Sequence, residues 1–154
     1  LPFTVTVIVP SILIGRDGAD APAAGRLGGA LLMLLGMALV AATVWHFATR
    51  GRGTLAPWDP PRHLVVSGIY RYVRNPMISG VVLVLAGESL LFASTAVAAW
   101  TAVFFAVNAI YIPLLEEPGL SRRFGAAYDE YRRHVPRWIP RLSPWPPAAD
   151  ASAA

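Results

Sequence analysis

The stretch "LGGALLMLLGMALVAATVWHFAT", Leu27–Thr49, carries no charged residue. A helix that crosses a bilayer needs about 20 mostly apolar residues, because the hydrocarbon core is roughly 30 Å thick and a helix rises about 1.5 Å per residue. This stretch is both long enough and apolar enough to cross the bilayer. It predicts a transmembrane helix, and it therefore predicts a membrane protein.

The remainder of the chain has the same character. Of its 154 residues, 55% are hydrophobic and 14% are charged, which is more apolar than an ordinary soluble domain. Further apolar stretches at 1–15, 77–93 and 96–115 predict an all-α, polytopic membrane helical bundle of about four spans. The first stretch lacks a basic start and a small-residue cleavage site, so we expect a clipped first span and not a signal peptide.

The arginines predict the orientation of the spans. Residues 50–74 contain five arginines against one acid, Asp59, and residues 122–141 contain six arginines. Cytoplasmic loops are enriched in basic residues, so we expect both segments in the cytoplasm and the turn near Ser94 and Thr95 outside. This topology explains the net charge of +4 better than nucleic-acid binding. The absence of lysine beside abundant alanine and proline suggests a bacterial cytoplasmic membrane.

Beyond Pro118, apolar residues recur every three or four positions, which predicts a C-terminal, cytoplasmic amphipathic helix. Such a helix suits the membrane surface, or it covers the preceding hairpin. Its apolar positions are Leu120, Phe124, Tyr128, Tyr131 and Val135. Residues 142–154 are rich in proline and alanine, so we expect a single domain, 1–141, followed by a disordered tail, 142–154.

The polar stretch "GIYRYVRNPMISG", Gly68–Gly80, and the acidic pair Glu116 and Glu117 flank the last two predicted spans. Because the spans form a hairpin, both segments should lie at the same membrane surface and line one site. The chain has no cysteine and three scattered histidines. Thiolate metal sites and disulfides are therefore excluded, and no metal is expected.

Three motifs carry a family resemblance: "RHLVVSGIYRYVRNP" at 62–76, "EEPGL" at 116–120 and "RRFGAAYDEYRRHVPRWIP" at 122–140. With the apolar hairpin between them, they resemble the isoprenylcysteine carboxyl methyltransferase and phospholipid N-methyltransferase family of membrane enzymes. The resemblance covers roughly residues 53–141. It implies a methyltransferase that uses S-adenosyl-L-methionine as cofactor and methylates a lipophilic or membrane-associated acceptor, with membrane lipids as its surroundings.

By motif position, the resemblance also implies a set of cofactor contacts, but it implies no catalytic residue. These contacts are Arg62, His63, Leu64, Val65, Tyr70, Asn75, Pro76, Met77, Ile78, Glu116 and Glu117. The pocket needs a carboxylate for the cofactor's ammonium, and either acid of the pair suits it. Arg62 or backbone amides suit the cofactor's carboxylate.

Three positions depart from the family pattern. Asn75 stands where the family usually has histidine, and Ile78 stands where it usually has tyrosine. Ile112 stands where eukaryotic prenylcysteine enzymes carry an arginine for the acceptor carboxylate. A prenylcysteine carboxylate is therefore not the expected acceptor.

Several of these residues also have a purely structural interpretation. Arg71 and Arg74 would equally anchor the headgroup boundary, and the acidic pair would simply end a span. Glu88 lies within a span, where a carboxylate costs about 2.5–3.5 kcal/mol, so it should face the bundle interior. It would there accept a hydrogen bond from His46, Asn108 or Tyr111, or bind the acceptor together with Asn108 and Tyr111.

Two other functions remain open from the sequence. One is an NADPH-dependent membrane reductase of the steroid-reductase type, whose C-terminal part has a similar hairpin. The other is a non-catalytic polytopic scaffold protein. If the acceptor is an amine it must first lose a proton, and His63 and Glu117 are the candidate bases.

Overall fold

The computed structural model describes residues 4–50, 64 and 66–146. Within these residues all regular structure is helical, which confirms the all-α prediction. The α-helices are α1 (Val9–Asp17), α2 (Ala23–Arg50), α3 (Pro76–Leu91), α4 (Thr95–Tyr111), α5 (Glu117–Phe124) and α6 (Ala126–His134). Shorter turns lie at Thr4–Ile8 and Ile112–Glu116, both π-helical, and at Gly68–Arg71, which is 3₁₀.

Two helical stretches in the described part of the chain are long and apolar enough to cross a membrane: Ala23–His46 and Thr95–Phe124. Only 17% and 11% of their apolar windows are buried, whereas the core helix of a soluble protein would be mostly buried. Their large exposed side chains, such as Leu34, Trp45 and Ile110, suit lipid. Of the other predicted spans, Pro76–Leu91 is a shorter apolar helix, and the helical segment at the start ends at Asp17.

By its contacts the chain divides into two compact units. The first unit comprises Leu1–Val40 and Met77–Tyr111, and the second comprises Ala41–Pro76 and Ile112–Ala154. The first unit contains α1, most of α2 and α3, and α4. The second contains the polar stretch, the acidic pair and the C-terminal helices.

In the first unit, α2 and α3 approach closely through glycines. A Cβ added to Gly29 would lie 2.6 Å from the carbonyl oxygen of Gly87, and one added to Gly36 would lie 2.6 Å from that of Gly80. Small residues permit such backbone contact between membrane helices. Gly80 and Gly87 therefore act as packing residues between α2 and α3.

The turn between α3 and α4 is tied to α1 by one carboxylate. Asp17 accepts hydrogen bonds from the Ser94 hydroxyl (2.5 Å), the Thr95 hydroxyl (2.9 Å) and the Ala96 amide (2.8 Å). These bonds hold the pKa of Asp17 below its usual value, that from Ser94 contributing most. The carboxylate thus caps the positive end of α4, and the turn lies where the sequence predicted it.

The helix that begins with α4 continues past the end of the predicted span at 115, because the π-helical turn Ile112–Glu116 carries it on into α5. Pro113 lies in this turn and has no backbone N–H to donate, and the wider π turn accommodates that missing hydrogen bond. The predicted single amphipathic helix is broken at Gly125, whose φ of +56° is accessible to glycine and strained in other residues.

The glycine contact yields a stability prediction with a matched control in the same helix. We expect Gly29→Ala to destabilise the protein by about 1–3 kcal/mol, because the new methyl group would push α2 away from α3. A Cβ added at Gly28 would meet open space. Gly28→Ala should therefore stabilise the protein by up to about 1 kcal/mol, because alanine favours a helix more than glycine does. Thermal unfolding in detergent measures both, and equal effects would contradict the close contact.

Candidate active site

The second unit is organised around the buried carboxylate of Glu117. Arg74 Nη1 donates to Glu117 Oε1 at 2.7 Å. Arg137 binds both oxygens, with Nε 2.7 Å from Oε1 and Nη2 2.9 Å from Oε2. The polar stretch and the acidic pair therefore meet, although 43 residues separate Arg74 from Glu117, which confirms the predicted convergence.

The neighbouring acid has a different environment. Glu116 is exposed and forms no hydrogen bond or ion pair within the described residues. Successive residues of a helix point about 100° apart, so one acid faces the arginines and the other does not. Glu117 is already neutralised by two guanidinium groups, whereas Glu116 has no such partner among the described residues, and burial and the negative charge of Glu117 raise its pKa.

Arg74 has one polar atom left over. Its side chain is 11% exposed, and its Nε is buried without a hydrogen-bond acceptor among the described residues. An unsatisfied buried donor costs about 1–3 kcal/mol. This N–H is therefore poised to donate to an acceptor that a ligand or a water molecule brings.

Three tyrosines surround these charged groups. The Tyr131 hydroxyl donates to the Tyr70 carbonyl at 2.8 Å. Burial raises the pKa of Tyr70, and the negative charge of Glu116 raises it further. Burial also raises the pKa of Tyr128 and of Tyr131. All three phenols keep their protons near neutral pH, so they serve as hydrogen-bond donors and not as bases.

An aromatic core holds this arrangement in place. Tyr128, Tyr131 and Val135 are buried together, and the side chains packed on them include Leu64, Leu120, Phe124 and Trp145. The apolar face predicted from the spacing of these residues is thus confirmed, even though Gly125 splits the helix. Leu64, one of the expected cofactor contacts, lies against this core.

His46 was not predicted to belong to this region. Its Nε2 lies 3.0 Å from the Ser67 hydroxyl oxygen, and its ring centre lies 5.7 Å from that of Tyr70. Gly68 has a φ of +56°, and a Cβ there would lie 2.6 Å from His46 Nδ1. The imidazole therefore supports the turn that presents Tyr70.

The C-terminal segment is bound alongside the polar stretch. Backbone amides of Arg74 and Asn75 donate to the carbonyls of Pro136 and Arg137. Further along, the amides of Arg141 and Trp145 donate to the carbonyls of Tyr72 and Arg71. The indole of Trp145 stacks on the imidazole of His134, with ring centres 5.5 Å apart. The described part of the predicted disordered tail, residues 142–146, is therefore held in place.

The remaining predicted site residues fall into two groups. Arg62, His63 and Val65 lie outside the described residues. Asn75 directly precedes α3, and Pro76, Met77 and Ile78 form its first turn.

The three residues expected to bind the acceptor are in the first unit: Glu88, Asn108 and Tyr111. Glu88 is about 18 Å along α3 from Pro76 at 1.5 Å per residue, and its Oε2 is buried without a hydrogen-bond partner. The Asn108 amide donates to the Phe104 carbonyl, so the bond that we expected between Asn108 and Glu88 is not formed. Tyr111 is half-exposed.

The two long, apolar and largely exposed helices indicate a membrane protein, and the second unit contains a buried arginine–glutamate cluster. The model of the phospholipid methyltransferase family matches residues 25–127, and the chain belongs to this family. Membership supports an enzyme that methylates a substrate. Groups of three or more potential metal ligands are absent from the described residues.

A curated relative is 36% identical over 77 residues, which are 48% of this chain and 27% of the relative. It is "Methanethiol S-methyltransferase 2" of Bradyrhizobium diazoefficiens. The chain thus spans about a quarter of the length of this relative. No solved structure matches the chain.

The two acids should respond differently to neutralisation. We expect Glu117→Gln to lower the free energy of unfolding by about 3–5 kcal/mol, because it leaves the guanidinium of Arg74 buried without its counter-charge. Glu116→Gln should leave the free energy of unfolding nearly unchanged, since Glu116 makes no ion pair with the described residues. Thermal unfolding in detergent measures both, and equal losses would contradict the assignment of Glu117 as the structural acid.

Proposed function

We propose that this protein is an integral membrane methyltransferase that uses S-adenosyl-L-methionine and methylates a small lipophilic acceptor. The observation that carries the proposal is the difference between the two acids. Glu117 holds Arg74 and Arg137, whereas Glu116, whose negative charge raises the pKa of Tyr70, has no charged partner among the described residues. In a chain of the phospholipid methyltransferase family, an unpaired carboxylate at a polar site suits a cationic cofactor.

The residues present fit this cofactor. Glu116 would hold its ammonium group, and the unsatisfied Nε of Arg74 would donate to its carboxylate. Leu64 and the tyrosines around it offer apolar and aromatic surface. When bound, S-adenosylmethionine supplies an activated methyl group on a sulfonium. A neutral or anionic ligand would not need the charge that Glu116 provides.

The contribution of the chain is positioning and electrostatics. Methyl transfer is an in-line displacement that requires no covalent enzyme intermediate, so alignment of the reactants supplies much of the acceleration. Glu117 fixes Arg74 and Arg137 through charge-assisted bonds, and His46 supports the turn that carries Tyr70. The groups that contact the ligands are therefore held before the ligands arrive.

A small thiol is the acceptor class that we favour. The name of the relative specifies sulfur methylation of methanethiol, and Ile112 is a buried apolar residue where an acceptor carboxylate would need a cation. The thiolate is the nucleophilic form of a thiol. The acceptor thiol would therefore lose its proton to solvent, and its thiolate would accept the methyl group that bound S-adenosylmethionine would supply.

We further propose that the protein resides in a bacterial cytoplasmic membrane with the site facing the cytoplasm. The arginine-rich segments on either side of the α3–α4 hairpin support this orientation. A site at the cytoplasmic surface would receive a water-soluble cofactor from one side and a lipophilic acceptor from the bilayer. Family membership favours methyl transfer over the reductase and scaffold alternatives.

Cofactor binding provides the direct test. We expect titration calorimetry to show that the purified protein binds S-adenosylmethionine. Glu116→Gln should weaken binding by at least about 10-fold, equivalent to roughly 1.4 kcal/mol, because the ammonium loses its counter-charge. The matched control is Glu130→Gln, an exposed acid on α6, which should bind normally. Absence of binding by the intact, folded protein would refute the proposal.

The acceptor class is tested by methyl transfer. With methyl-labelled cofactor and protein in lipid nanodiscs, we expect label to appear in methanethiol or larger alkyl thiols. The rate should rise with pH below the thiol pKa, because the thiolate fraction rises. Phosphatidylethanolamine and farnesylcysteine serve as competing acceptors, and preferential labelling of either would overturn the assignment of a thiol.

A further inference from the structure

The C-terminal segment forms two short bulges between fixed points. Its backbone is hydrogen-bonded to the polar stretch at Pro136 and Arg137, again at Arg141, and again at Trp145. Residues 138–140 and residues 142–144 lie between these points. We call them the first bulge and the second bulge.

Each bulge presents an aliphatic side chain to the surroundings. Ile139 in the first bulge is 78% exposed, and Leu142 in the second is fully exposed. Exposed leucine or isoleucine on a flexible tail would be unremarkable. Here the flanking hydrogen bonds fix both bulges, so two aliphatic side chains are kept exposed. Such exposure is unfavourable in water.

The bulges lie beside the ends of apolar helices. The Asn75 amide, which donates to Arg137, comes directly before the first residue of α3, Pro76. The guanidinium of Arg137 binds Glu117, two residues after Leu115, which is itself exposed and apolar. Two independent contacts therefore place the segment where the chain passes between apolar and polar surroundings.

The charges near the bulges suit lipid headgroups. Arg141 separates the bulges and donates to the His134 carbonyl at the end of α6. Arg132 and Arg133, in the last turn of that helix, are exposed. Aliphatic side chains beside exposed arginines are typical of segments that bind an anionic membrane surface.

We propose that the two bulges insert Ile139 and Leu142 into the leaflet of the membrane that the protein itself spans. The aliphatic tips contact acyl chains, and the arginines contact anionic headgroups. This contact fixes the Arg74–Glu117–Arg137 cluster at the membrane surface, since the same segment carries Arg137. It is independent of the reaction proposed above.

Because the chain has no cysteine, single-cysteine variants test the proposal without further changes. Ile139→Cys and Leu142→Cys, with Glu130→Cys on α6 as the exposed polar control, would each carry a fluorescent label. The full chain is reconstituted in nanodiscs of phosphatidylcholine and phosphatidylglycerol. Quenching is measured with nitroxide-labelled lipid and with aqueous iodide, after thermal unfolding has shown that each variant is folded.

We expect lipid nitroxide to quench the labels at 139 and 142 at least about threefold more than the label at 130, and iodide to quench them less. Labels quenched by iodide like the control would place the bulges in water and overturn the proposal. Protection from both quenchers would indicate a protein contact, such as a second copy of the chain, and would also overturn it.

Discussion

Two guanidinium groups on one buried carboxylate hold the second unit together. Arg74 comes from the polar stretch, Glu117 from the start of α5 and Arg137 from the C-terminal segment. A buried charge is tolerated only when it is paired and hydrogen-bonded. Because each partner comes from a different part of the chain, satisfying Glu117 requires that all three segments be assembled.

The same requirement explains how a polar site is built beside lipid-exposed helices. Leu114 and Leu115 are exposed, and Glu117 is buried only two residues later. The charged groups turn toward one another and the aromatic core closes around them through Tyr128 and Tyr131. Glu117 is fully occupied by this assembly, whereas its neighbour Glu116 has no ion pair among the described residues.

The features predictable from the sequence are those with a local pattern. The charge-free run at Leu27–Thr49 identifies a span, and the three-to-four spacing from Leu120 to Val135 identifies the buried face. The convergence of the polar stretch and the acids followed from hairpin geometry. Three features could not be predicted from the sequence. They are which of the two acids forms ion pairs, the fixed position of Trp145 beside the polar stretch, and the pairing of Arg137 with Glu117. Each depends on contacts between remote segments, and Arg137 is one arginine among several in its tail.

The π-helical turn Ile112–Glu116 has a consequence for the angular register of the chain. A π turn holds about one residue more than an α turn, so it shifts the phase of everything after it by about 100°. Without that extra residue, the direction taken by Glu117 would be taken by a neighbouring side chain. The π turn therefore acts as a one-residue insertion on which the site depends. Loss of a single residue there would turn the carboxylate of Glu117 away from its arginines, although the helix would remain equally apolar.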